Sequence, residues 1–579
     1  MFNEDDVIQV YRSLLSNLGY TPRFTQEDAI KRVTQALNDY DDVILESPTG
    51  SGKSVIAMVF AKYISDTLEG NSFLLTPRKE LQDQYSESFS DNVFVFKGAA
   101  NYPCHLGISS GIPDADCGPT AQCAKGGFGG RNYGCCIGTP LAEVDFPLGP
   151  VPLNTQDLDS EKVYCNYLYN RHLALQSEIL VMNFALFLSH VNYTGIFHKR
   201  SLLVLDEAHR CEEWLVSFAG VKLNEDRLKR LVPDLDIQSL SQYIEAVADD
   251  DPLGSAFMKD WLGSELLKIR KIAEIMEKTG GRPSDIHYLL SDVIPGLSLM
   301  NSSLDHTKWV GDRVEIISKG FKNKIVSYNF SPVFVDKFAK YMLLNKAPKR
   351  LFMSATILDS RAFSKSLGIE EHAFVRIASE FPAENRPFII SNTIGSLAYP
   401  KRTDEKMAKV TKEICDIVEH HSDCKGIIHT QSYKATNIIS NALKENSTTR
   451  DRVITHLSGA RRLNMFKEYT EREDNPVFIT PSFTEGVDLK FDLARFQIMV
   501  FVPYASISDK RVKVRIGLGG WPWYNWLTAL SIMQTYGRIV RDVEDTGVTY
   551  ALDERFTDFI SRHNSLFPDW FTEAVEYYE

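Results

Sequence analysis

The chain has 579 residues, too many for one compact core, so several domains are expected. Its composition is ordinary for a soluble globular protein, 44% hydrophobic and 24% charged, and no apolar run approaches the roughly 18–20 residues of a membrane span. A net charge of −12 argues against a non-specific basic nucleic-acid binder, so any such site has to be local.

The start, MFNEDDVIQV, is acidic and lacks the basic and apolar regions of a secretory signal. The cytoplasm, or an equivalent reducing compartment, is expected, with no membrane partner. Residues 41–64, DDVILESPTGSGKSVIAMVFAKYI, read as a short apolar strand, a turn of small residues and a helix with Ile56, Val59, Phe60 and Tyr63 at helical spacing. The turn Ser47-Pro48-Thr49-Gly50-Ser51-Gly52-Lys53-Ser54 fits the phosphate-loop pattern G-x-x-x-x-G-K-[ST] except that Ser47 replaces the first glycine. Gly50 and Gly52 let backbone N–H groups close around a phosphate at a helix N-terminus. Lys53 can reach the β- and γ-phosphates of ATP, and Ser54 can hold Mg²⁺.

Residues 101–136 then take five of the chain's nine cysteines (Cys104, Cys117, Cys123, Cys135 and Cys136), and a sixth follows at Cys165. In a reducing compartment such clustering reads as metal ligation rather than disulfides. Zinc and an iron–sulfur cluster both take four thiolates, and with no C-x₂-C pair the spacing does not choose between them.

RSLLVLDEAHR (200–210) is an apolar strand ending in Asp206 and Glu207, which a parallel sheet would deliver beside the phosphate loop. Asp206 would bind Mg²⁺ and Glu207 would orient and deprotonate the attacking water. Farther on, FMKDWLGSELLKIRKIAEIMEK (257–278) places Trp261, Leu262, Leu266, Ile269 and Ile272 roughly on one helix face. DKRVKVR (509–515), followed by GGWPWYNW (519–526), sets basic groups beside aromatic ones, which suits a single-stranded nucleic acid. It equally suits a solvated turn before a buried aromatic helix. ALSIMQTYGRIVR (529–541) is helical in pattern, with Gln534, Arg538 and Arg541; arginines three apart share a helix face and can meet a γ-phosphate from another domain.

These blocks, in this order, resemble a superfamily 2 helicase, and further segments narrow the likeness. FTQEDAI (24–30) resembles the Q-motif region, implying that Gln26 reads adenine. LLTPRKELQDQ (74–84) is similar to motif Ia, implying that Thr76, Arg78 and Gln82 lie on a nucleic-acid path, with Lys510 and Arg511 as later contacts. RLFMSATIL (350–358) resembles motif III, and SEFPAENRP (379–387) and PSFTEGVDL (481–489) resemble segments of a second motor domain, adding Glu485, Gly486 and Asp488 to the ATP site. The likeness is to the XPD/DinG-like branch of iron–sulfur helicases.

That resemblance implies an α/β fold of two RecA-like parallel-sheet motor domains. The first motor (1–97, 171–213 and 341–378) would carry an iron–sulfur insertion (98–170) and a mainly helical arch insertion (214–340), with the second motor over 379–579. It implies a DNA-stimulated ATPase moving 5′→3′ on single-stranded DNA and unwinding forked duplexes, acting as a monomer. It also favours a [4Fe–4S] cluster over zinc, with Cys104 and Cys165 as outer ligands. The inner pair is Cys117 or Cys123 with Cys135 or Cys136, Cys123 and Cys136 being preferred. The family's C-P-Y-x-x-x-R block has Asn166 in place of proline here. A translocase that does not separate strands, and a metal-stapled nucleic-acid-binding module with a decayed motor, are the competing readings.

Overall fold

The computed structural model describes residues 2–48, 50–102, 166–317, 324–456, 462–481, 489 and 491–578. Cys104, Cys117, Cys123, Cys135, Cys136, Cys165, Thr49, Glu485, Gly486 and Asp488 lie outside the described residues.

Parallel strands covered on both faces read as unbroken apolar runs. Asp42–Glu46 (DVILE), Ser72–Thr76 (SFLLT) and Leu202–Leu205 (LLVL) are of this kind, buried throughout. They belong to a seven-stranded sheet ordered Ala373–Arg376, Asp42–Glu46, Lys349–Ser354, Leu202–Leu205, Ser72–Thr76, Ile179–Asn183, Phe94–Val95. Every pairing in it is parallel. A second seven-stranded parallel sheet runs Val453–Thr455, Val477–Thr480, Gly426–His429, Phe496–Met499, Val548–Ala551, Phe388–Ser391, Val575–Tyr578. These are the two α/β motor folds expected. In the first, the helix Lys53–Leu68 buries Ile56, Val59, Phe60 and Tyr63 as its spacing predicts.

Strands of the first sheet come from chain stretches separated by long intervals. The interval before Lys349 carries the amphipathic helix Ser255–Thr279, which buries Trp261, Leu262, Leu266 and Ile269. It also carries a three-stranded antiparallel sheet ordered Val221–Asn224, Lys324–Pro332, Trp309–Ile317, an addition to the helical arch expected from the sequence. The cause is the alternation of apolar and polar residues from Val326 to Ser331. Val326, Tyr328 and Phe330 face inward with polar residues between them, a period-2 pattern that a helix would scatter.

The described residues flanking the cysteine segment meet in one aromatic cluster. Phe96 lies with its ring centroid 6.3 Å from Tyr102 and 5.6 Å from Tyr167, and Tyr102 and Tyr167 are 5.9 Å apart. The described residues on either side of the segment therefore lie close together. No helix among the described residues is long and apolar enough to cross a membrane.

Candidate nucleotide site between the two parallel-sheet domains

The strand Asp42–Glu46 delivers the chain into the phosphate loop. Gly50 and Gly52 take φ of 79° and 81°, the left-handed region that glycine enters without cost. A Cβ at Gly52 would stand 2.1 Å from Gln26 Nε2, and one at Gly50 3.0 Å from the carbonyl oxygen of Arg541. The loop backbone is thus wedged between the Gln26 helix (Phe24–Asp39) and the second domain. Ser47, the departure from the glycine pattern, has a use: its hydroxyl donates to Ser51 Oγ at 2.7 Å, and Ser51 Oγ donates to the Pro48 carbonyl at 2.6 Å. Lys53 Nζ rests on the Ser47 and Pro48 carbonyls at 3.2 and 3.4 Å, neutral acceptors weaker than a phosphate oxygen. Gln26 is buried, donating to Ser51 O at 2.9 Å and accepting from Tyr11 OH at 2.9 Å.

Asp206 and Glu207 leave the C-terminal end of the strand Leu202–Leu205, two strands from the phosphate loop in the sheet. Asp206 is 5% exposed, and its N–H donates to Leu75 O at 2.9 Å. Glu207 is left-handed at φ 51°, an uncommon backbone for a residue with a Cβ and one that concentrates at functional sites. Burial and the adjacent Glu207 push the Asp206 carboxyl up from the ordinary carboxylate range, against the pull of Lys53. Burial also works against charge on Glu207, but His209, Lys53, Arg541 and Arg538 outweigh it and hold that carboxyl low. The two carboxyls are therefore pushed in opposite directions, Asp206 up and Glu207 down.

Tyr85, which the sequence reading missed, closes the floor of the site. It is buried on the helix Lys79–Ser88, hydrogen-bonds Ser54 and lies against Asp206; burial and that carboxylate raise its phenol well above the usual value. Nothing in the sequence marks a tyrosine at this spacing. Ser54 and Asp206 supply the hard oxygen donors that Mg²⁺ prefers. Among the described residues no cluster of three or more His, Cys, Asp or Glu that could hold a metal ion is found.

Motif III ties these parts together. His209 Nδ1 lies 2.7 Å from Ser354 Oγ and 3.4 Å from Glu207 Oε2. The Ser354 carbonyl accepts from Ser47 N at 3.0 Å, so one residue joins the DEAH turn to the phosphate loop.

The opposite wall comes from the second domain. A cavity of about 420 Å³ is lined by Pro48, Glu207 and His209 on one side and Gln534, Arg538 and Arg541 on the other. The shared helix face expected for the arginines is not how they arrive. The helix Trp521–Tyr536 ends at Gly537, whose N–H caps Met533 O at 2.9 Å, and both arginines follow on the turn beyond it. Ile539 and Val540, at 1% and 5% exposure, draw the chain out of helical geometry by burying themselves in the second domain's core.

The expected nucleic-acid residues are dispersed. Arg78 lines both this cavity and a larger one of about 1250 Å³ between motif Ia and the antiparallel-sheet region, where Lys222, Arg227, Trp214 and Tyr288 are also found. Thr76 and Gln82 are buried at 1% and 0% exposure, with Gln82 Nε2 donating to Phe96 O at 3.2 Å. Lys510 bonds Gly311 O at 3.2 Å and pairs with Asp312 and Asp249, and Arg511 pairs with Glu212. Those two basic groups thus face protein acceptors.

Comparison with known proteins agrees with this geometry. Family models described as the Helicase C-terminal domain, DEAD_2, and Type III restriction enzyme, res subunit, match residues 414–574, 153–228 and 19–100. The ATP-dependent DNA helicase YoaA of Haemophilus influenzae is 23% identical, covering 93% of this chain and 91% of its own length. Its Escherichia coli counterpart is 22% identical, covering 93% and 92%. A solved XPD helicase superposes with a TM-score of 0.59 at 15% identity, covering 96% of this chain and 100% of that one, which shows the shared fold. With helicase models matched in both parallel-sheet domains, relatives matched along nearly their whole length and an XPD-like fold, the chain is similar throughout to XPD/DinG-like superfamily 2 helicases.

Proposed function

We propose that the chain is an ATP-dependent DNA helicase that moves 5′→3′ on single-stranded DNA and unwinds duplexes. The observation that carries this reading is the convergence on one cleft of Glu207 with Arg538 and Arg541 from the other domain. The loop from Ser47 to Ser54 holds the triphosphate, and Lys53 leaves its two carbonyls for the β- and γ-phosphates. Mg²⁺, bound by Ser54 and Asp206, would neutralise phosphate charge and fix its orientation. Glu207 takes the proton of the attacking water, and His209 and Ser354 keep its turn in place. Arg538 and Arg541 stabilise charge on the transferring group, a role typically worth ~10³–10⁵ in rate. Closure on ATP and opening after hydrolysis would then move the strand.

The DNA substrate is supported by the relatives' names, and the path by the basic and aromatic lining of the larger cavity. The cysteine segment, within the boundaries 98–170, is assigned a [4Fe–4S] cluster on the family resemblance and its thiol content, with Cys104 and Cys165 as outer ligands. A cytoplasmic monomer completes the reading.

The deciding assay measures ATP hydrolysis with and without single-stranded DNA, then unwinding of 5′-tailed and 3′-tailed duplexes. DNA-stimulated hydrolysis with unwinding of the 5′-tailed substrate is expected. Unwinding from 3′ tails alone reverses the polarity, and hydrolysis indifferent to DNA defeats the assignment.

A further inference from the structure

Glu212, five residues after Glu207, lies in the first turn of the helix Cys211–Ala219 and is 6% exposed. No step of the reaction above uses it. Its Oε1 accepts from Arg511 Nη2 and Arg515 Nη1, and its Oε2 accepts the indole N–H of Trp523 at 2.9 Å. All three donors belong to the second domain. Arg511 and Arg515 lie on the helix Lys510–Gly517, and Trp523 lies in the first turn of Trp521–Tyr536, the helix that leads into Arg538 and Arg541.

The same guanidiniums also hold the strand returning from the antiparallel-sheet region. Arg511 Nε donates to Pro332 O at 3.1 Å, and the Arg515 guanidinium lies 3.9 Å from the Trp523 ring and 5.1 Å from Phe334. One helical turn beyond Trp523, Trp526 donates its indole N–H to Ile357 O at 2.7 Å, beside motif III. The helix that presents the arginines is thus pinned to the first domain at two points on one face, and Glu212 is the charged one.

A surface ion pair could release and re-form at little cost. This one cannot, because pulling a buried carboxylate from buried guanidiniums leaves uncompensated charges in a poorly hydrated place. Burial draws the Arg515 guanidinium down to about 10, which still leaves it charged at neutral pH. The contact therefore behaves as a fulcrum that persists while the cleft around it changes width.

We propose that Glu212 is a positioning residue: by clamping Arg511, Arg515 and Trp523 it sets the arginine-presenting helix in register with Glu207 for DNA-stimulated ATP hydrolysis. This rests on the ATPase reading above. A register error of an ångström at a reacting centre can cost about a hundredfold in rate, so the device acts on turnover rather than on ATP affinity.

The test uses the full chain and measures KM for ATP, kcat with and without single-stranded DNA, and thermal stability. Glu212→Gln is expected to keep KM within about threefold while lowering DNA-stimulated kcat about tenfold or more, with Glu212→Asp recovering part of it. Trp523→Phe keeps the charges and an aromatic ring but deletes the indole N–H donor, and is expected to lower kcat about threefold at unchanged KM. Wild-type stimulated kcat in both Glu212→Gln and Trp523→Phe overturns the inference, as does a loss of rate that only tracks the unfolded fraction. Should Glu212→Gln fail to fold, Trp523→Phe decides alone: a lowered kcat at unchanged KM supports the clamp, and a wild-type kcat refutes it. A wild-type protein without DNA-stimulated hydrolysis defeats the ATPase reading itself, which is a separate outcome.

Discussion

At the scale of single residues, the candidate site gives two adjacent carboxyls different environments. Asp206 sits on a strand end beside Ser54 and Tyr85, while Glu207 turns left-handed toward the cations of both domains. In the proposed reaction, replacing Glu207 by Gln preserves the shape and removes the proton acceptor, and replacing Lys53 by Ala removes the phosphate cation. Either change is expected to cut ATPase turnover at least about 10³-fold while single-stranded DNA binding, read by fluorescence anisotropy, persists. Gly52→Ala tests the loop itself. Its Cβ would meet Gln26 Nε2 at 2.1 Å in a left-handed backbone, so nucleotide affinity should fall by at least about tenfold in an equilibrium titration.

Among the elements, the strand leading into the phosphate loop and the turn after motif III are joined by one buried carboxylate. Glu46 Oε2 accepts from Ile357 N at 2.6 Å and from Leu358 N, and Oε1 accepts from Arg376 Nε at 2.6 Å. Leu358 is itself left-handed at φ 66°, a backbone that needs outside support. Removing the carboxylate strands two buried N–H groups and a guanidinium, so Glu46→Ala should lose about 3–5 kcal/mol in a denaturant melt. The helix Trp521–Tyr536 teaches a related lesson. Its apolar pattern predicts the helix, yet Gly537 and the burial of Ile539 and Val540 decide where it stops, and hence where Arg538 and Arg541 stand.

Across the whole molecule, stability is tied to histidines held neutral by their surroundings. Burial, with Arg171, lowers His190 from 6.5 to about 4, and burial, with Arg538, does the same for His429. A depressed histidine pKa means that the unfolded chain binds the proton first. Its stabilising contribution is full above pH 6.5 and is lost as pH falls from 6.5 toward 4. The free energy of unfolding should therefore fall between pH 7 and pH 5, with a slope of up to about 1.4 kcal/mol per pH unit for each histidine, and the melting temperature with it. His429→Gln should flatten that slope, and an unchanged slope in this variant would assign the effect elsewhere. The cysteine segment is tested at this scale by metal analysis of anaerobically purified protein. Iron with sulfide is expected, and zinc without iron would replace the cluster assignment.

Sequence by itself determined the two parallel-sheet domains and singled out Lys53, Ser54, Asp206, Glu207, Arg538 and Arg541 as candidates, because each stands in a short consecutive run with a recognisable pattern. Buried parallel strands announce themselves as apolar runs, and phosphate loops as small residues between a strand and a helix. What only the tertiary structure decided is who faces whom across the fold. Tyr85 beneath Ser54, Ser354 between Ser47 and His209, and Glu212 beneath Arg511, Arg515 and Trp523 carry no local signature. Each exists because segments distant in the chain were brought together by burial. For Lys510 and Arg511 the pattern of basic and aromatic residues was compatible with both DNA and protein acceptors, and the fold set them against protein ones. A local pattern specifies a residue's chemistry; the packing of the domains specifies its partner.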